Sequence, residues 1–241
     1  MNGRRFILAA AALTVGGMTT AAWAEGGTVT GKVTFDGPPP ARAAVSFGGE
    51  KQCLLMHGGT PPLNDEIVVG GGGGLRSVVV SIQGEVPGAY PPPSEPVVVD
   101  QHQCLFAPRV VAAMVGQPIE FRNGDPVLHN VRAMSKKKQS FNIAQPTQGM
   151  KTVRTFKEAE SPIPLKCDVH FWMVGSLHVF AHPFFAVTSD DGAFTIKGLP
   201  AGTYTLQAWH EKLGIQTQTI TIKDGDTQAV SFVYKTPLAQ A

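Results

Sequence analysis

The sequence lacks an excess of charge of either sign and, beyond its first residues, any long apolar run. Lysine and arginine number 20 against 18 acidic residues, and the surplus is Arg4 and Arg5, because residues 1–24 contain no acid. A chain balanced in this way has no basic footprint, so we expect no nucleic-acid partner. No stretch after residue 24 approaches the ~20 apolar residues that cross a bilayer, so we expect no membrane insertion of that part.

The first 24 residues have the three parts of a secretory signal peptide. Arg4 and Arg5 precede an apolar stretch, which ends in the small-x-small pattern Ala22-Trp23-Ala24. A membrane anchor is the alternative, but glycines and threonines at 16–20 interrupt the stretch. The sequence therefore predicts cleavage before Glu25 and a periplasmic protein.

Cysteine is scarce, with Cys53, Cys104 and Cys167 only. In an oxidising compartment an odd count leaves one thiol to explain. A metal thiolate and a buried inert thiol are both open at this point.

Helical periodicity is also missing from the residues after 24. Short runs rich in Val, Ile, Thr and Phe recur instead, separated by Gly, Pro, Asn and Asp. This pattern predicts an all-β fold with two packed sheets per domain. The Pro-rich stretch 84–96 is typical of a stiff connector between domains.

The stretch Thr188–Leu206, TSDDGAFTIKGLPAGTYTL, resembles the carboxypeptidase regulatory-like (transthyretin-like) family. The resemblance implies an Ig-like β-sandwich, whose first strands match Gly31–Phe35 and Ser77–Ile82 far upstream. A domain split in sequence follows, made of residues 25–96 plus 183–237. Residues 97–182 would then be a second domain inserted in a surface connection.

The inserted stretch contains Cys167-Asp-Val-His170-Phe-Trp-Met173, which holds a thiolate, an imidazole and a thioether within seven residues. His129, in Asn123-Gly-Asp-Pro-Val-Leu-His-Asn, is the upstream candidate. Two imidazoles, a thiolate and a weak axial thioether form a set that suits copper, whereas methionine is a poor ligand for zinc. His57, His102, His178, His182 and His210 share no ligand spacing, so we expect them to be solvated or hydrogen-bonded.

These residues, with the passage from Gln103 to Asn123, resemble the cupredoxin family of plastocyanin, azurin and amicyanin. The resemblance implies a Greek-key β-barrel with one type 1 (blue) copper, in which Cys167 is the thiolate and His129 and His170 are the equatorial ligands. Met173 would be the axial ligand, and Asn130 would tie the two ligand loops together. The whole chain also resembles bacterial methylamine utilization proteins, which implies little about mechanism.

Single-electron transfer to a periplasmic cytochrome or dehydrogenase is the function that this resemblance implies. Electrons would leave through an exposed edge of His170, with Phe171 and Trp172 in an apolar docking patch. With Cys167 committed to copper, Cys53 and Cys104 are expected to form a disulfide.

An enzyme is not expected. Cys167 lacks the flanking histidines that relay electrons in multicopper enzymes, and the chain has no H-E-x-x-H or G-x-S-x-G motif. The alternatives are copper storage, delivery or sensing without redox turnover, and a structural or carbohydrate-binding module.

Overall fold

The structure, a computed structural model, describes residues 26–235, and the predicted signal peptide lies outside them. This part of the chain is nearly all β, as the sequence pattern predicts. It contains one short α-helix, α1, at Lys51–Met56 and a 3-10 turn at Gly71–Gly73. None of its helices is long and apolar enough to cross a membrane.

Strands β1 to β8 are Gly27–Asp36, Val79–Gln83, Val97–His102, Leu105–Ala107, Val110–Met114, Ile119–Asn123, His129–Ala133 and Phe141–Gln145. Strands β9 to β16 are Lys151–Arg154, Glu160–Lys166, Val174–Phe180, Phe185–Val187, Ala193–Leu199, Gly202–His210, Gly214–Ile222 and Thr227–Lys235. Branched and aromatic side chains alternate with polar ones along most of these strands, which suits one buried face.

Two sheets use only strands from the two ends of the chain. One has the order β13-β1-β16, with β1 antiparallel to β13 and parallel to β16, and the other has the order β12-β2-β14-β15. Phe194, Leu206, Phe232 and Tyr234 belong to the apolar core that the strands of both sheets share. We call this part the sandwich half.

The other two sheets use only strands between Val97 and Phe180. Their orders are β4-β3-β6-β9 and β5-β11-β10-β7-β8, around a second core that includes Phe121, Ile163 and Leu177. We call this part the barrel half. The Pro-rich stretch joins β2 of the sandwich half to β3, the first strand of the barrel half. The division into a split domain of residues 25–96 plus 183–237 and an inserted domain of residues 97–182 stays a prediction.

One segment crosses between the two groups of strands. Residues 45–57, which we call the cap segment, precede β2 in sequence, yet Phe47 and Cys53 are buried in the core of the barrel half. Helix α1 lies within this segment, and a disulfide joins Cys53 to Cys104 in the tight turn between β3 and β4. The cap segment thereby becomes part of the wall of the barrel half.

A small apolar cluster and an ion-pair network join the two halves. Val79, Val110 and Phe180 are buried there against the partly buried ring of Trp209. Next to them the guanidinium of Arg109 donates to both carboxylate oxygens of Glu211, at 2.6 and 3.0 Å. A paired guanidinium with little exposure fixes geometry better than a surface ion pair does, so this contact orients the halves.

Candidate metal centre

The loop between β10 and β11 places Cys167 and His170 beside His129, the first residue of β7. The nitrogen and sulfur donor atoms of these three side chains lie within 4.8 Å of one another, and all three residues are buried. The two Nδ1 atoms of His129 and His170 are 2.9 Å apart, and the Sγ of Cys167 is 3.8 Å from the Nδ1 of His170. Donors bound to one ion at about 2.0–2.3 Å are separated by about 3–4 Å, so the three fit a single ion.

The fourth predicted ligand, Met173, is fully buried in the core of the barrel half, as is Cys167. Backbone hydrogen bonds fold the loop back on itself. The N–H of Cys167 donates to the carbonyl of Met173 at 3.1 Å, and the N–H of Met173 donates to the carbonyl of His170 at 2.9 Å. The loop is therefore closed by its own backbone before any ion binds.

Asn130 connects the strand that carries His129 to the loop that carries Cys167. Its side-chain oxygen accepts the backbone N–H of Asp168 at 2.6 Å and that of Val169 at 3.3 Å. Its own backbone N–H points to the Sγ of Cys167 at 3.5 Å. The residue holds the two ligand-bearing elements at a fixed separation, which is the position that the family resemblance implies for it.

The electrostatics of the cluster favour a thiolate. Burial by itself raises the pKa of Cys167, but hydrogen bonds from His129, His170 and the backbone N–H of Asn130 lower this pKa to about 6. Burial also lowers the pKa of His129, whereas its hydrogen bonds to Asp125 and Cys167 outweigh burial and raise it. Thiolate is the form of cysteine that binds metals.

Asp125 is a residue of the site that the sequence analysis did not identify. Its carboxylate is buried and lies 2.9 Å from the Nε2 of His129. It also accepts the backbone N–H groups of Gln103 and Cys104, both at 2.7 Å. Such a carboxylate fixes the tautomer and the orientation of a ligating histidine. The sequence feature that could have indicated Asp125 is its position four residues before His129, in a turn that follows a strand with buried residues.

The prediction that an edge of His170 is exposed is wrong, because this residue is only 2% exposed. The cap segment and the ligand loop cover it. Trp172 packs on the imidazole with ring centroids 5.1 Å apart, Phe47 packs on Trp172 at 5.3 Å, and the disulfide lies alongside. Of the two residues expected in the docking patch, Phe171 is 69% exposed, whereas Trp172 is half-buried.

The other histidines have different surroundings. His178 lies between the hydroxyls of Ser161 and Ser176, at 2.7 and 3.2 Å. His210 accepts backbone N–H groups from Lys212 and Leu213, and His182 accepts one from Phe184. A ring nitrogen of His57 meets the carbonyl of Gln103, while His102 is exposed. None of these five gathers with two further donors in the part of the chain that the structure describes.

Known proteins resemble this chain in two respects. Residues 180–235 match the family model of the carboxypeptidase regulatory-like domain. No match was found among curated proteins. Among solved structures, a novel purple cupredoxin from Nitrosopumilus maritimus is 21% identical, with 34% of this chain and 98% of that chain covered and a TM-score of 0.30.

Two further solved structures are similar. An oxidised variant of amicyanin is 21% identical, with 42% and 97% of the two chains covered and a TM-score of 0.32. A copper-containing nitrite reductase from Thermus scotoductus is 23% identical with a TM-score of 0.34, and the similarity covers 41% of this chain but only 25% of the reductase. Residues 180–235 thus carry a carboxypeptidase regulatory-like domain, and cupredoxins are among the solved structures that the chain resembles.

Proposed function

We propose that the protein binds one type 1 copper ion through His129, Cys167, His170 and Met173 and carries single electrons. The observation that supports this most is the convergence of two imidazole nitrogens and one thiol sulfur at a buried point. Soft thiolate and thioether donors favour Cu(I), while imidazoles also accept Cu(II), so this set serves both oxidation states. A zinc site would use a carboxylate or a second thiolate where this chain has Met173.

The residues around the proposed ligands restrain them against movement. Asp125 orients His129, Asn130 fixes the start of the ligand loop, and backbone hydrogen bonds close that loop between Cys167 and Met173. Bound copper would supply a one-electron couple. A site whose ligands are already fixed changes little between two oxidation states, and this property suits electron transfer.

The route of the electron also follows from the contacts. Because the ring of His170 is covered, we propose that electrons pass from it to Trp172 and then to Phe171. The ring centroids are 5.1 Å apart in both steps, and the side chain of Phe171 is exposed. The partner is a redox protein of the periplasm, such as a cytochrome or a dehydrogenase. The protein itself is a carrier and not an enzyme, and its export depends on residues 1–24.

The burial of His170 favours a second candidate, which is copper storage or delivery without redox turnover. A covered imidazole offers no direct contact to a redox partner, and a buried site retains its ion. A structural or carbohydrate-binding role of the sandwich half is a third candidate, in which copper would have no part. These candidates differ in whether the bound metal has a reversible couple.

A visible spectrum and protein voltammetry separate the candidates. We expect the protein with one equivalent of Cu(II) to show an intense thiolate-to-copper band and a rapid, reversible couple. Met173→Leu should keep copper and colour but raise the reduction potential, because a site without the weak thioether donor stabilises Cu(II) less than the wild-type site does. A colourless protein that binds only Cu(I), with no reversible couple, would indicate storage, and the absence of copper binding would indicate the third role.

A further inference from the structure

The disulfide is part of the wall of the candidate metal centre. The sulfur atoms of Cys53 and Cys104 and a ring nitrogen of His170 all lie within 4.8 Å of one another, and all three residues are buried. The sulfur of Cys104 is also within 4.8 Å of a ring nitrogen of His129 and of the carboxylate of Asp125. Both proposed histidine ligands therefore have the same disulfide at their side.

We infer that Cys53 and Cys104, once reduced, form a Cu(I)-binding dithiol that shares His170 with the centre described above. This inference goes beyond electron transfer and does not require it. As a disulfide the two sulfurs are bonded to each other and provide no thiolate. Two electrons and two protons from a dithiol, which is oxidised to its own disulfide, convert them into two thiols.

The reduced pair has the donor chemistry of a soft-metal site. Two thiolates and one imidazole would face the same point, and soft thiolates select Cu(I) among the available ions. Binding displaces the two thiol protons, which pass to solvent or buffer. No change of oxidation state of the copper is needed in this step.

Cys104 stays in position when the disulfide opens. Gln103 and Cys104 both have a left-handed backbone, with φ of 53° and 56°, in the two-residue turn between β3 and β4. Residues other than glycine adopt this conformation at some cost. The carboxylate of Asp125 accepts both of their N–H groups and keeps the turn in this shape. The thiol of Cys104 is thus held beside His170 without help from Cys53.

Cys53 lies on the part that can move. Helix α1 has six residues and no side-chain cap at its N-terminus, and a helix of this length is marginal by itself. Apart from the disulfide and packing, two hydrogen bonds to the β3–β4 turn anchor its end, from Gln103 to the carbonyl of Met56 and between His57 and the carbonyl of Gln103. Residues 48–52 are exposed, so local opening of α1 would admit a reductant.

The test uses the full chain with Cys167→Ser, which removes the thiolate of the proposed blue site. A water-soluble phosphine reduces the disulfide, and in this reaction phosphine, disulfide and water give phosphine oxide and two thiols. After anaerobic removal of the phosphine, Cu(I) is titrated against a chromogenic Cu(I) chelator. We expect the reduced variant to bind one Cu(I) at least ~100-fold more tightly than the oxidised variant, because two thiolate ligands are gained.

Two further variants define the site. Adding His170→Ala should weaken the binding by at least ~10-fold, because one of three ligands is lost. Replacing Cys53 and Cys104 by serine should abolish the gain on phosphine treatment, and alkylation of the two thiols of the reduced protein gives the same control if the serine variant does not fold.

Three results would overturn the inference. They are equal affinities of the oxidised and reduced forms, an affinity that does not depend on His170, and a disulfide that resists phosphine in the folded protein. The wild-type protein with its disulfide intact reports separately on the proposed electron transfer through its colour and voltammetry, so the failure of one proposal is distinguishable from the failure of the other.

Discussion

The end of the barrel half and the junction between the halves both bury histidines, but the two regions treat them differently. At the barrel end, His129 and His170 face each other and the sulfur of Cys167. At the junction, the ring of His178 packs on Trp209 with ring centroids 4.4 Å apart. Its nitrogens meet serine hydroxyls, and burial lowers its pKa to about 3. Burial of a histidine alone therefore says little about metal binding.

The difference lies in how each region compensates for burial. At the junction, burial lowers the pKa of His178 and so favours its neutral ring, and its two nitrogens have the hydroxyls of Ser161 and Ser176 as partners. At the barrel end, the carboxylate of Asp125 and the thiol of Cys167 offset burial and raise the pKa of His129. A cluster that gathers a carboxylate, a thiol and two imidazoles at one point needs a cation or protons to be stable. The ring of His178 needs neither, because its partners are two neutral hydroxyls.

The largest effect that separates the regions is expected from Cys167→Ser. Loss of the thiolate should abolish the colour and weaken copper binding by at least ~1,000-fold, because serine is a poor ligand for Cu(I). The metal-free protein should unfold at nearly the same denaturant concentration as the wild type, since the two side chains are similar in size. Copper titration and urea unfolding check the two parts. Retention of the blue colour would contradict the assignment of Cys167.

The sequence indicates part of the buried cluster, because Cys167 and His170 are only three residues apart, whereas His129 comes from a distant strand. The spacing from Cys167 to Met173 places three side chains in one tight loop, and alternating patterns such as Thr203–Trp209 predict the strands that support the fold. The strand β9, which is rich in polar residues, and the three-residue strand β4 lack that pattern, so the sequence does not indicate them.

The cap segment and the contacts of Asp125 could not be predicted in this way. Both depend on where distant pieces of chain meet in space. Helix α1 is too short for a periodic signal, and its position over His170 is set by the disulfide and by Phe47 packing on Trp172. The exposed imidazole edge was expected from a family resemblance that does not include residues 45–57. The cap segment lies outside the stretch that resembles the family, and it covers His170.

His178→Ala should show the opposite behaviour to Cys167→Ser. The change leaves a cavity at the junction and removes the partner of the hydroxyls of Ser161 and Ser176, so the free energy of unfolding should fall by about 2–4 kcal/mol. Copper affinity and the visible spectrum should stay as in the wild type. Denaturant unfolding and copper titration of the same preparation test both statements, and a changed spectrum would show that the two regions are coupled.

Asp125→Asn should have a smaller effect that is centred on the metal. The variant keeps the shape of the side chain but removes the charge that orients His129, so copper affinity should fall by about 10–100-fold. The matched control is Asp168→Asn, in an exposed carboxylate of the ligand loop that accepts hydrogen bonds from Asn142, Arg132 and the amide of Asn130 but contacts no proposed ligand. Equal losses of affinity in the two variants would mean that general negative charge, and not the contact with His129, matters.

The smallest expected effect is the acid sensitivity of the junction. Burial holds the pKa of His178 at about 3 in the folded protein, against about 6.5 in the unfolded chain. The unfolded state therefore takes up the proton first, so the stability from the neutral ring is present above pH 6.5 and is lost as the pH falls towards 3. Between pH 6.5 and 5 this loss amounts to about 1.5 kcal/mol. The measurement is the free energy of unfolding in urea of metal-free Cys167→Ser at pH 6.5 and at pH 5. We expect the difference between the two values to shrink by this amount when His178→Asn is added, since asparagine does not titrate. His210, whose pKa burial lowers to about 4, keeps a part of the slope in both proteins. An unchanged slope would mean that His178 is protonated in the folded state, and the contrast between the two buried histidine regions would then fail.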